Sequence, residues 1–121
     1  MNESPQDAAR EVKDRLRADL RIAMKDRKAV EVKVLRALIA AIDKAEAPPV
    51  YATAKATDQL RFASGSAEVV RLSLGASDVQ RTIAAEVQAR ERSAAELGQH
   101  GMKERAEALL TEAKVARRYL G

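Results

Sequence analysis

The sequence predicts an all-α chain: a small antiparallel helical bundle of about four helices, with a long irregular connection over 47–76. Three observations lead there. Four stretches carry apolar side chains at spacings of three and four, the period that gathers them on one face of a helix. The alternation of Val30, Val32 and Val34 resembles a strand but lies inside some 18 residues rich in Ala, Leu and Lys, which favours helix. The length of 121 residues suits one domain with one core, so 1–121 is read as a single domain.

The helices are expected near 5–26, 29–47, 78–97 and 102–120. Ser4-Pro5-Gln6-Asp7 starts the first: serine caps open amide groups, proline at the first helical position loses no bond, and Asp7 offsets the positive end of the dipole. Val12, Leu16, Leu20, Ala23 and Met24 form its apolar stripe. Continuing that phase would bury Lys28 and Glu31, so a tight connection is expected at Asp26–Ala29; one long bent helix is the alternative. Val30, Val34, Leu38, Ala41 and Ile42, widened by Leu35 and Ile39, make the second stripe, which stops before Pro48-Pro49 because a residue preceding proline avoids helical geometry.

Over 47–76 the periodicity fails, and Pro48, Pro49, Gly65 and Gly75 punctuate the stretch. One helical turn at Asp58–Phe62 and an extended piece through Val69, Val70, Leu72 and Leu74 are the elements it suggests, against a plain surface loop. Ser77-Asp78-Val79-Gln80 then reads as a capping box. Val79, Ile83, Val87, Ala94 and Leu97 supply the third stripe, with Gly98 as its stop. Met102, Ala106, Leu109, Leu110, Ala113 and Leu120 supply the fourth, and the alanine-rich faces (Ala37, Ala40, Ala41; Ala84, Ala85; Ala106, Ala108, Ala113) would let helices approach closely.

Composition narrows function. Cysteine is absent and histidine occurs once, which removes disulfides, thiolate chemistry and His-rich zinc sites; no cofactor is expected. Aromatic content of 2% argues against modules that stack single-stranded bases on aromatic platforms. No phosphate-binding loop, dinucleotide glycine pattern, serine elbow or HExxH occurs, and His100 reads as a solvent-facing turn residue. The pairs Glu11/Asp14, Glu86/Glu91 and Glu104/Glu107 have basic neighbours and read as solvated ion-pair faces, as does Glu86 with Arg90. No apolar run approaches the roughly 18 residues that cross a bilayer, and a cytoplasmic location is the expectation.

The formal charge of +4 comes from 22 Lys+Arg against 18 Asp+Glu, with no basic tail, so a positive patch must be assembled by folding. Lys25, Arg27 and Lys28 cluster at the first turn, Lys33 and Arg36 lie one turn beyond, and Arg90, Arg92, Lys103 and Arg105 surround the second interhelix turn. Cationic side chains gathered at bundle ends grip phosphates without reading sequence.

Leu16-Arg17-Ala18-Asp19-Leu20, Ala23-Met24-Lys25-Asp26-Arg27, Leu35-Arg36, Ala40-Ala41-Ile42 and Glu46 resemble the opening helices of the YqeY-like proteins. Val79, Ile83, Glu86, Arg90 and Ala94 resemble the third helix of those proteins, and Arg105, Ala106, Glu112, Tyr119 and Leu120 the last. Members share a domain with the tail of the B subunit of tRNA-dependent amidotransferases. The resemblance implies an all-helical fold, tRNA contact as in that tail, and a smaller distal helical subdomain that is expected to be missing after Tyr119-Leu120 here. The leading expectation is a non-catalytic module binding tRNA or a tRNA-handling protein, with Lys25, Arg27, Arg36, Arg90, Arg92 and Arg105 as phosphate contacts. The alternative is a protein-interaction or scaffold bundle that uses Val69 and Leu72 to capture a partner or to form a homo-oligomer. An amidotransferase-related carbon–nitrogen ligase comes third, for no nucleophile is visible.

Overall fold

The computed structural model describes residues 5–47 and 74–121, with side chains from Ala8 onward. They form four helices, α1 (Pro5–Lys25), α2 (Ala29–Glu46), α3 (Ala76–Gln99) and α4 (Lys103–Arg117), and no strand occurs among the described residues. The all-α bundle is therefore what the chain builds. Its neighbours in sequence run antiparallel: Lys13 of α1 reaches Asp43 and Glu46 late in α2, and Gln80 early in α3 meets the backbone of Tyr119 and Gly121 beyond α4. α2 and α3 each touch all three other helices, which leaves α1 and α4 on the outside.

The largest fully buried side chains are Leu16, Val34, Leu35, Leu38, Ile42, Val79, Ile83 and Val87, so every helix except α4 contributes a large aliphatic residue from its expected stripe. Each such burial is worth about 1.5–3 kcal/mol. α4 instead packs with Ala106, Ala113, Val115 and Ala116, and Leu74, just ahead of α3, joins the core.

The stripes extend less far than their periodicity suggests. Met24, Val30, Met102 and Leu110, all expected inside, are exposed, because the bundle leaves their part of the helix face uncovered. Of the alanines expected at close approaches, Ala106 and Ala113 are buried, whereas Ala40, Ala85 and Ala108 are exposed, Ala40 and Ala85 lining an open groove between α2 and α3.

The α1–α2 connection is the tight turn, not one bent helix. Lys28 N–H donates to Ala23 O at 2.9 Å and Arg27 N–H to Met24 O at 3.2 Å, while Arg27 takes φ +57. This is a Schellman closure with arginine where glycine is favoured. The α3–α4 turn is built the same way around Gly101, at φ +75, with Met102 N–H on Leu97 O and Gly101 N–H on Gly98 O. Gly98 therefore lies within α3, and Gly101 rather than Gly98 carries the stop.

The expected capping box is also displaced. α3 starts at Ala76, and Gly75 N–H donates to Asp78 Oδ2 at 3.2 Å, so Ser77 sits inside the helix. Gln80 is drawn away to the chain end: its Nε2 donates to Tyr119 O, and its Oε1 accepts from Gly121 N–H. Ser4, the elements expected within 48–73, and with them Val69 and Leu72, lie outside the described residues.

Candidate nucleic-acid interface

Most carboxylates and many cations of the bundle are consumed internally. Glu112 is only 7% exposed, and its carboxylate accepts from Arg90 Nε at 3.1 Å and Lys33 Nζ at 3.0 Å. Arg90 also donates to the backbone carbonyl and the carboxylate of Glu86, both at 3.1 Å. A helix-surface pair expected from sequence is thus part of a half-buried knot joining α2, α3 and α4.

α1 and α2 are tied by Lys13, which donates to Glu46 at 2.5 Å and Asp43 at 3.0 Å. Burial opposes the charge on Lys13, yet the hydrogen bonds and fields of those two carboxylates outweigh it and raise its pKa. The fourth helix is anchored to the first by Tyr119, whose hydroxyl donates to Asp19 Oδ2 at 2.6 Å beneath the Arg15 guanidinium, 4.7 Å from the ring centroid. Burial, then the Asp19 hydrogen bond and charge, push the Tyr119 pKa up against the opposing pull of Arg15 and Arg118.

A cleft of about 270 Å³ lies beside this tyrosine, lined by Arg15, Asp19, Glu31 and Arg118 among others. Its polar groups already serve one another, since Arg118 pairs with Glu31 at 3.1 Å and Tyr119 with Asp19. Among the described residues no group of three or more His, Cys, Asp or Glu is placed to hold a metal, and His100 is exposed in its turn.

The net positive charge falls at one place. Residues 21–36, the end of α1, its turn and the start of α2, hold six cations (Arg21, Lys25, Arg27, Lys28, Lys33, Arg36) and two carboxylates (Asp26, Glu31). That corner alone has a formal +4, while the rest of the chain, sixteen of each sign, has none. Glu31 is moreover paired with Arg118, just beyond α4. Lys25, Arg27, Lys28 and Arg36 are all exposed, and none of the four joins an ion pair with a described residue.

The corner is concave. A shallow groove of about 690 Å³ is lined by Met24, Arg27, Ala29, Val32, Lys33 and Arg36. Arg36 Nη2 lies 3.9 Å from Met24 Sδ, which holds the guanidinium along the thioether.

Of the six residues expected to contact phosphate, Arg27 and Arg36 share this groove and Lys25 is exposed at the same turn. Arg92 and Arg105 are exposed on the α3–α4 hairpin, outside the groove lining. Arg90 is withdrawn from the surface, its side chain 14% exposed and its donors spent on Glu86 and Glu112. Lys33 and the apolar groove residues Met24 and Val32 were not among the expected site residues. The sequence places Lys33 in the same cationic cluster, but Met24 reads as core. No helix among the described residues is long and apolar enough to cross a membrane. Comparison with protein-family models, curated proteins and solved structures finds no match to this chain.

Proposed function

We propose that this chain is a non-catalytic helical module that holds RNA, tRNA in the first instance, by its phosphate backbone, with Lys25, Arg27, Lys33 and Arg36 of the α1–α2 corner as the principal contacts. The observation that supports it is the placement of charge: the whole formal excess of the chain sits on residues 21–36, beside a groove rimmed by Arg27, Lys33 and Arg36. Phosphate contacts of this kind give affinity and position without base-sequence specificity. The resemblance to the YqeY-like proteins makes tRNA the first ligand to try. Arg92 and Arg105, exposed on the α3–α4 hairpin, are secondary contacts in this reading.

The test is tRNA binding by fluorescence anisotropy with Arg27→Glu plus Arg36→Glu, against Arg10→Glu plus Lys114→Glu as a control. Both pairs change net charge equally, and all four positions are exposed. The first pair is expected to weaken binding about tenfold or more and the second by less than about threefold. Equal losses from both pairs would reject the corner as the site.

A second reading, a protein-interaction module, draws on the exposure of Ile22 (59%), Met24 (50%) and Val30 (42%) around the same turn. It expects no tRNA binding, together with capture of a partner that is lost on Ile22→Asp.

A further inference from the structure

The groove at the α1–α2 corner differs from a surface meant only for a duplex backbone. Its rim is cationic, with Arg27, Lys33 and Arg36, but its floor is Met24, Ala29 and Val32, and Met24 is half-exposed. A paired RNA strand presents phosphates and ribose outward and keeps its bases stacked inside, so it leaves such a floor in contact with water. An unpaired nucleotide presents both chemistries at once: a phosphate for the rim and an apolar ring face for the floor.

We infer that this groove receives one unpaired nucleotide of an RNA, its phosphate held by Arg27, Lys33 and Arg36 and its base laid on Met24 and Val32. The inference rests on the phosphate-binding reading of the same corner. Cations and apolar residues share one lining, and the shallowness of the groove lets the flanking chain leave on either side. Among the described residues the lining holds no aromatic ring, so the floor offers a thioether and aliphatic surface beside the Arg36 guanidinium, whose Nη2 lies 3.9 Å from the sulfur. Guanidinium planes stack on bases, and one base is what a floor of this composition supports, in contrast to the successive bases taken by an aromatic platform. Lys33 is 68% exposed, and its weak, largely solvated contact with Glu112 leaves the ammonium able to turn to a phosphate.

The experiment compares two fluorescent RNA hairpins with equal numbers of phosphates, one blunt and one with a four-nucleotide single-stranded 3′ extension, bound to the full chain at fixed salt. The extended hairpin is expected to bind at least fivefold tighter. Met24→Gln, an uncharged change at an exposed position, is expected to reduce that advantage below twofold. Equal binding of the two hairpins to the unaltered protein, still salt-sensitive, would overturn the nucleotide groove and leave the phosphate-binding reading standing. Failure to bind either hairpin would overturn both. If an acidic, apolar peptide displaced the extended hairpin while free mononucleotide did not, the groove would be assigned to a protein partner and the inference rejected.

Discussion

Glu112→Ala probes the knot that ties α2, α3 and α4. Removing this carboxylate leaves Arg90, a side chain only 14% exposed, with Glu86 as its remaining partner, and leaves Lys33, 68% exposed, with water. Breaking a buried pair by deleting one partner costs about 3–5 kcal/mol. The two bonds from Arg90 to Glu86 survive and moderate that figure, and the Lys33 contact, largely solvated, is worth about 0–1 kcal/mol. The expected loss is therefore about 2–3 kcal/mol, which at roughly 4 °C per kcal/mol lowers Tm by about 10 °C. Urea denaturation followed by circular dichroism at 222 nm measures it. Double-mutant cycles divide it: coupling of Glu112 with Arg90 is expected above about 1 kcal/mol and with Lys33 below about 0.5 kcal/mol. A total loss under about 1 kcal/mol, or stronger coupling to Lys33 than to Arg90, would refute the burial argument.

Arg27 occupies the left-handed position of the α1–α2 turn at φ +57, so Arg27→Gly is expected to stabilise the chain by about 0.5–1 kcal/mol while weakening tRNA binding; a fall in the urea midpoint would contradict the turn geometry. Tyr119→Phe removes a hydroxyl that donates to Asp19 and is expected to cost about 1–2 kcal/mol at neutral pH, read from the same denaturation curves. Stability of the unaltered chain is expected to fall as pH rises above about 10. Folded Tyr119 and folded Lys13 both keep protons that their unfolded forms release there, with a slope of up to about 1.4 kcal/mol per pH unit for each group. Tyr119→Phe should make that decline shallower, and a decline unchanged by the substitution would assign it elsewhere.

The sequence makes the number and phase of the helices legible, because the stripes that hold the buried Leu16, Leu38 and Ile83 repeat at helical spacing. The break in phase between Met24 and Lys28 locates the first turn even though no glycine stands there. What periodicity does not carry is how far a neighbour reaches along a face, which is why Met24, Val30, Met102 and Leu110 look like core and are exposed. Nor does it choose between Gly98 and Gly101, a choice made by the two Schellman bonds.

The polar clamps depend on pairing at long range. Tyr119 and Asp19 are 100 positions apart, and Lys33 and Glu112 are 79 apart, distances at which no local pattern speaks. Arg90 looks like a surface cation in sequence for the same reason: the acid that holds it lies on the next helix. Several residues behind the family resemblance, Asp19, Glu46, Glu86, Arg90, Glu112 and Tyr119, are these clamps, so they account for the bundle's geometry rather than for a ligand. The candidate interface was half legible, since Lys25, Arg27 and Arg36 are near in sequence as well as in space, whereas the apolar floor of the groove emerges only once the turn is folded.

The salt dependence of tRNA affinity tests the claim that this corner is a phosphate-binding surface. With about three to four cations on phosphates, the logarithm of the association constant is expected to fall against the logarithm of salt concentration with a slope of about −3, and Arg27→Glu plus Arg36→Glu should reduce its magnitude by about 2. A slope near zero, or one unaltered by those two reversals, would contradict it.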